Sequence, residues 1–316
     1  MLNEIAAGLR QTPKMLSSKF FYDEAGSQLF QQIMGLPEYY PTRTEFSILE
    51  KYAPELAGVW SGAGPLLLLE LGAGDGLKTK LLLRELLAAG ADFTYAPVDI
   101  SASAVQLLAQ TLGQELPALR VAPVVAEYEA ALHQVRTPAG RKVVLFLGSN
   151  IGNFHPEARQ QFLATLAASL APTDALLIGF DLQKDPRQIR AAYDDTQGVT
   201  AAFNLNLLQR LNRELGADFQ LENWQHYAEY DPLSGAARSY LVSRCAQQVQ
   251  LAALPSEIFA FAPWEVVHTE NSYKFTRPQI ETLAAAAGLR VQRFLTDEQG
   301  WFADVLLTPG GGEIVR

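Results

Sequence analysis

Between residues 65 and 180 the chain alternates two kinds of apolar pattern. The runs "PLLLLEL", "TYAPVDI", "LRVAPVVAE", "RKVVLFLGS" and "DALLIGFDL" read as buried strands, because a strand covered on both faces loses its polar alternation. Between them, "LKTKLLLRELLAAG", "SASAVQLLAQTLG" and "HPEARQQFLATLAASL" carry apolar residues at helical spacing, the first stopping at Gly90 and the second starting on a serine cap. Strands alternating with helices of this length predict an α/β fold: a parallel sheet with right-handed crossovers.

After Asp185 the pattern changes. "PRQIRAAYDDTQGVTAAFNLNLLQRLNREL" predicts one long helical stretch, and "FQLENWQHYAEYD", "RSYLVSRCAQQVQL" and "WEVVHTENSYKF" predict antiparallel strands, the first two joined by the turn-rich "DPLSGAA". A last helix, "RPQIETLAAAAG", and two strands, "LRVQRFLTD" and "GWFADVLLTP", are expected to complete the first sheet. The first forty-odd residues are irregular and aromatic, and are assigned to the second lobe. The expected division is therefore 45–185 with 275–316 as a sheet domain, and 1–44 with 186–274 as an inserted domain.

Composition narrows the partners. A chain of 316 residues with 48% hydrophobic content can bury two cores. A net charge of -9 and a pI near 5.0 argue against a nucleic-acid partner, which usually meets a basic face. The longest apolar runs are too short to span a bilayer, and "MLNEIAAGLRQTPK" lacks the layout of a secretory signal, so no membrane partner is expected and a cytoplasmic monomer is. The single cysteine, Cys245, forbids an intramolecular disulfide and reads as an ordinary strand residue. His133, His155, His226 and His268 show no metal-ligand spacing, so no metal is expected. Trp224, Trp264 and Trp301 read as core or lobe-interface residues.

"LELGAGDG", residues 69–76, ends the first strand. In an open parallel sheet, ligands bind beyond the carboxyl ends of the strands, where this loop lies. Gly72, Gly74 and Gly76 supply unusual torsions and remove side chains that would block a ligand, although a tight strand-to-helix turn needs the same residues. A dinucleotide site asks for a small third residue in G-x-G-x-x-G/A, and counting from Gly72 puts Leu77 there. The compact loop, preceded by Glu70, suits S-adenosylmethionine better than NAD. Asp99, closing "PVDIS", is placed to accept hydrogen bonds from a ribose diol or to cap the next helix, a task Ser101 performs equally well. Glu127, closing "VVAEYE", is a weaker candidate acceptor for an adenine amino group.

Other motifs are more specific. "FYDEAGSQLFQQIMGLPEYYPTRTE", "LELGAGDGLKTKLLL", "FLGSNIGNF", "GFDLQKD", "AAYDDTQGVTAAFNLNLLQRLNRELGADF" and "HTENSYKF" occur in one fixed order. Together they resemble the histidine-specific, S-adenosylmethionine-dependent methyltransferases, from about Lys19 to the C-terminal strands. The resemblance implies a Rossmann-like methyltransferase sheet with an inserted substrate-binding domain. It also implies methylation of the α-amino group of L-histidine, up to the trimethylated product hercynine, the precursor of ergothioneine. By the same resemblance, Tyr22, Gly72, Gly74, Lys78, Asp99 and Glu127 lie around the cofactor, Glu127 standing where an aspartate is expected. Asn153 and Tyr193 hold the amino-acid end of the substrate, while Tyr39 (with Tyr40 as the alternative), Glu270 and Ser272 surround the imidazole. Asp181 and Lys184 are read as a salt bridge at the mouth of the sheet, outside catalysis.

The chemistry is consistent with those roles. Methyl transfer from a sulfonium needs alignment of amine, methyl carbon and sulfur, with no covalent intermediate. The amine must first lose its proton, which desolvation and a neighbouring positive charge both favour; no side chain is assigned as the base. Neutral imidazole has one donor and one acceptor, matched by a carboxylate at Glu270 and a hydroxyl at Ser272. On a strand these two residues face one side, with Asn271 turned away. Methylation of another aromatic amino acid such as tryptophan, an NAD-linked oxidoreductase and a non-catalytic cofactor sensor are the competing readings. Glu270 with Ser272 argues against the first and Leu77 against the second.

Overall fold

The computed structural model describes residues 1–62, 64–135 and 140–310; the final residues 311–316 of the expected sheet domain lie outside the described ones. The chain divides into two compact units, Pro41–Gln183 with Lys274–Arg316, and Met1–Tyr40 with Lys184–Tyr273.

The first unit holds an eight-stranded sheet. Its centre is Leu66–Leu71, flanked in parallel by Phe93–Asp99 on one side and Arg141–Phe146 on the other, so successive connections leave in opposite directions from the carboxyl end of the first strand. That divergence makes a crevice at the strand ends, where the glycine loop begins. Ala175–Asp181 adds in parallel beyond Arg141–Phe146, and Phe302–Pro309 and Leu289–Thr296 extend the sheet antiparallel. The apolar runs form strands because both faces are covered: Leu66–Leu71 is buried at all six positions. On the faces pack Leu82, Leu83 and Leu86 of the helix Thr79–Ala88, Leu108 and Leu112 of Ala102–Glu115, and Ile48, Leu49 and Trp60 of Tyr40–Ser61.

The second unit is built on an antiparallel core of Trp224–Asp231, Ala236–Ser243 and Val266–Tyr273, edged in parallel by Lys14–Met15. Phe203, Leu207, Leu208 and Leu211 of the helix Val199–Leu215 pack with Leu241, Val267 and Trp224 of the sheet and with Ile5, Leu9 and Phe21 from the N-terminal segment.

Several elements differ from the sequence expectation. The N-terminal region is not irregular: it forms helices Leu2–Leu9 and Glu24–Met34, the second capped by the Asp23 carboxylate accepting from Gly26 N at 2.7 Å. "LRVAPVVAE" is two short strands, Arg120–Val121 and Val124–Val125, separated at Pro123, which has no N–H for a ladder. The long helical stretch is two helices, Pro186–Ala191 and Val199–Leu215, because Asp195 accepts from Val199 N and Thr200 N and starts the second afresh. Cys245 lies between the strands Ala236–Ser243 and Gln247–Gln250 rather than in one. Trp224 is in the core, but Trp264 is 65% exposed and held at φ 66°, so it belongs to a surface turn.

Candidate functional site

The glycine loop leaves the Leu66–Leu71 strand with three left-handed residues, Gly72 at φ 75°, Gly74 at 54° and Gly76 at 66°. Each has its own reason to be glycine. A Cβ at Gly72 would stand 2.9 Å from the Tyr128 hydroxyl and 3.4 Å from Asn150 Nδ2, and one at Gly76 would meet Leu108 Cδ1 at 2.6 Å. At Gly74 nothing lies within 4 Å, so there the glycine serves torsion and an open approach to the backbone.

Asp99 ends the adjacent strand. Its Oδ1 accepts from Ser101 N at 3.0 Å and its Oδ2 from Gly74 N at 3.4 Å, which ties the second strand end to the glycine loop. The cap of the following helix is Ser101, whose hydroxyl accepts from Ala104 N at 3.3 Å, so Asp99 is relieved of that task. Glu127 is exposed, immediately before the helix Tyr128–Gln134, and its side chain makes no cap bond.

Beneath the loop lies a set of buried acids that the sequence pattern did not connect to one another. Glu70 is turned inward: it accepts from Thr79 Oγ1 at 2.6 Å and from the Tyr95 hydroxyl, pinning the start of one helix to the next strand. Burial pushes its carboxyl up to about 7 against the opposing pull of those two hydrogen bonds. Glu45, fully buried on the helix Tyr40–Ser61, pairs with Lys78 Nζ and accepts from Gly148 N at 2.7 Å. Burial alone would lower the Lys78 ammonium, but the Glu45 carboxylate outweighs it and the net effect is upward. Asp304, also fully buried, is driven above the usual carboxylate range by burial and then by the charge of Glu45. A sequence signal for this cluster existed in Gly179. A glycine in the middle of a buried strand marks a close approach, and a Cβ there would overlap Glu45 Oε1.

The turn after Arg141–Phe146 carries two consecutive left-handed residues, Gly148 at φ 78° and Ser149 at φ 56°. A serine in that region is strained by about 1 kcal/mol, and its side chain supports the turn by accepting from Asp181 N at 3.0 Å. Asn150 Nδ2 donates to Leu147 O at 3.0 Å, and Asn153 closes the short helical turn, half-buried. Asn153 thus belongs to the sheet unit, with Gly72, Gly74, Lys78, Asp99 and Glu127. Asp181 pairs with Lys274 at 2.8 Å, both buried.

Tyr22, Tyr39, Tyr193, Glu270 and Ser272 belong to the other unit. Edge-to-face contacts link Tyr22 to Phe30 at 5.6 Å between ring centres, Phe30 to Tyr39 at 6.1 Å, and Tyr39 to Tyr193 at 6.5 Å. Tyr193 donates from its hydroxyl to Ser272 Oγ at 2.7 Å. Its backbone carbonyl lies 2.9 Å from Nε2 of His226, a residue to which the sequence pattern gave no role. Burial lowers the His226 pKa, so the ring is neutral and donates from Nε2. Tyr40 is fully buried, and Lys184 Nζ donates to its hydroxyl at 2.8 Å. Of the two neighbouring tyrosines, Tyr39 is therefore the one in ring contact with Tyr193.

The strand Val266–Tyr273 presents Glu270 opposite Ser239 and Ser272 opposite Ala237, two alternate residues of the neighbouring strand, so Glu270 and Ser272 share a face; Asn271, opposite Arg238, is on the other. Ser272 is buried at 6% exposure and Glu270 is half-buried. Among the described residues no group of three or more His, Cys, Asp or Glu side chains is arranged to hold a metal ion, and no helix is long and apolar enough to cross a membrane.

Comparison with known proteins agrees with the motif order. The model of the family described as histidine-specific methyltransferase, SAM-dependent, matches residues 1–309. The histidine N-alpha-methyltransferase of Mycolicibacterium smegmatis is 42% identical over 299 residues, covering 95% of this chain and 92% of that protein. Ergothioneine biosynthesis protein 1 of Schizosaccharomyces pombe is 32% identical over 82% of this chain, a match spanning 34% of that longer protein. The L-tryptophan methyltransferase trpM of Psilocybe serbica is more distant, 28% identical over 98% of this chain and 93% of that protein. With a family model spanning nearly its whole length and a relative above two-fifths identity, this chain belongs to the histidine-specific, SAM-dependent methyltransferase family.

Proposed function

We propose that this protein methylates the α-amino group of L-histidine, in successive steps up to Nα,Nα,Nα-trimethylhistidine, the hercynine from which ergothioneine is made. The observation that carries the reading is the shared face of Glu270 and Ser272, with the Tyr193 hydroxyl bonded to Ser272, in a chain of a histidine-specific family.

The sheet unit's residues fit S-adenosylmethionine. Gly74 combines a left-handed torsion with open space where its Cβ would be, and Asp99 has a half-buried carboxylate with lone pairs left for a diol. Gly72, Gly74, Lys78, Asp99 and Glu127 would hold the cofactor. When bound, it would supply a methyl group made electrophilic by a positive sulfur, and these residues would hold that group for transfer to the substrate amine.

The protein's part on the substrate side is to hold the ring away from the reacting nitrogen. Glu270 accepts from the imidazole N–H. Ser272, whose Oγ accepts from Tyr193, faces the other ring nitrogen. Tyr39 completes the grip at the ring. Anchoring through the ring lets the amine grow by successive methyl groups without loosening the pocket. An apolar ring of similar size would leave a carboxylate and a hydroxyl unpaired, a mismatch worth on the order of 10⁴-fold at a well-fitted site.

The test is competition. Purified protein given S-adenosylmethionine and an equimolar mixture of amino acids should yield mono-, di- and trimethylhistidine as the dominant products by mass. Preferential methylation of tryptophan or any other amino acid overturns the assignment.

A further inference from the structure

The strand that carries Glu270 and Ser272 contains one residue too many for its ladder. Val267 pairs with Leu241 and His268 with Tyr240, but Glu270, not Thr269, pairs with Ser239. The neighbouring strand is regular, since its other ladder runs from Trp224 opposite Ser243 to Asp231 opposite Ala236 without interruption. Thr269 is therefore the extra residue of a β-bulge.

A bulge changes parity. Leu241, Ser239 and Ala237 alternate along the regular strand and mark one face, the face on which Val267 and Leu241 join the core. In an unbroken strand the residues sharing that face with Val267 would be Thr269 and Asn271. Glu270 and Ser272 would then fall on the opposite face, with His268. The one-residue insertion reverses this downstream of Thr269, as any single-residue slip in a strand does. It brings Glu270 and Ser272 to the side where Ser272 meets the hydroxyl of Tyr193.

The bulge is clasped from both faces. Thr269 is 2% exposed, and its Oγ1 lies 2.9 Å from Ser239 O and 2.9 Å from Asn204 Oδ1. Asn204 is fully buried on the helix Val199–Leu215 and is itself fixed by donating from Nδ2 to Thr200 O at 3.1 Å. On the opposite face, His268 Nε2 reaches Asn271 Oδ1 at 3.1 Å, joining residues three apart as the extra residue requires.

We propose that Thr269 is a positioning residue for substrate choice: its bulge, clasped to Asn204, turns Glu270 and Ser272 onto the pocket face without itself touching the substrate. This rests on the reading of Glu270 and Ser272 as the imidazole grip. Nothing in it involves the glycine loop or Asp99, which serve the cofactor.

Three variants test it. Thr269→Ser keeps the hydroxyl, Thr269→Val keeps the shape and removes it, and deletion of Thr269 restores regular alternation. Histidine kcat and KM, the ratio of histidine to phenylalanine and tryptophan turnover, and affinity for S-adenosylhomocysteine are measured for each. The expected results are near wild-type values for Thr269→Ser, a rise of about tenfold in histidine KM for Thr269→Val, and loss of histidine binding in the deletion with S-adenosylhomocysteine affinity retained. A merely structural role would weaken both ligands together and leave the substrate ratio unmoved. Wild-type histidine KM and selectivity in Thr269→Val overturn the inference, whether or not the deletion variant folds. If the wild-type protein prefers another amino acid, it is the substrate reading that fails, and the same variants measured on that amino acid decide the role of Thr269.

Discussion

Tyr193 donates its phenolic hydrogen to Ser272 Oγ at 2.7 Å, linking the turn that follows the helix Pro186–Ala191 to a strand residue 79 positions further along the chain. The bond fixes which way the Ser272 hydroxyl points, and so links a packing tyrosine to the polarity of the pocket. Tyr193→Phe keeps the ring beside Tyr39 but removes the donor. Loss of one neutral hydrogen bond costs about 1 kcal/mol, so histidine KM should rise several-fold while S-adenosylhomocysteine affinity stays the same. Steady-state kinetics and calorimetry check both, and an unchanged KM would remove Tyr193 from the substrate grip.

His226 holds the Tyr193 backbone from below through Nε2. Since burial places its folded pKa under the ordinary value of 6.5, its stabilising contribution is present above pH 6.5 and is lost as pH falls from there toward the folded value. Thermal unfolding across pH 5 to 7 should show a decline on acidification that is smaller in His226→Gln. Identical pH profiles for the two proteins would contradict the assignment.

Glu70 has the opposite slope. Its carboxyl titrates near 4.5 when unfolded and about 7 when folded, so the folded state holds the extra proton and stability declines as pH rises between those values. A tenfold difference in proton affinity between the two states corresponds to about 1.4 kcal/mol. Glu70→Gln should flatten this part of the profile and be relatively most favourable above pH 7. Because Glu70 and His226 act in opposite directions over overlapping pH, each must be read against its own variant rather than from the wild-type curve.

Glu45 neutralises Lys78 in a place where neither is well hydrated, with side-chain exposures of 0% and 20%. Glu45→Gln leaves the ammonium without its counter-charge, a loss of about 3 kcal/mol for a buried pair broken on one side. Denaturant unfolding should show this loss, and adding Lys78→Met should restore much of it. A Glu45→Gln protein as stable as wild type would mean that the ion pair is not maintained.

The parallel strands were legible because burial on both faces leaves continuous apolar runs, as in "LLLLEL", and the sheet's helices were legible from apolar spacing. The break before Val199 was not: "TQGVTAAF" continues an acceptable helical period, and the Asp195 bonds that restart the helix carry no separate pattern. Glu270 and Ser272 were recognisable as a same-face pair from their spacing alone. Which face they occupy was not, because "VVHTENSY" gives no sign that Thr269 is an extra residue; that depends on pairing with Ser239 and on Asn204 from a distant helix. The glycine loop was legible for its torsions, whereas the inward turn of Glu70 depends on Thr79 and Tyr95 coming together in the folded sheet.

The central claim is that a carboxylate and a hydroxyl on one strand face select the imidazole ring, and calorimetric titration of histidine into wild-type and Glu270→Ala protein, both saturated with S-adenosylhomocysteine, tests it most directly. Wild-type protein should bind histidine and not tryptophan. Glu270→Ala should lose histidine affinity by at least about tenfold, since a charged hydrogen-bond partner is removed, while retaining its affinity for S-adenosylhomocysteine. Equal histidine affinity in the two proteins would contradict the account.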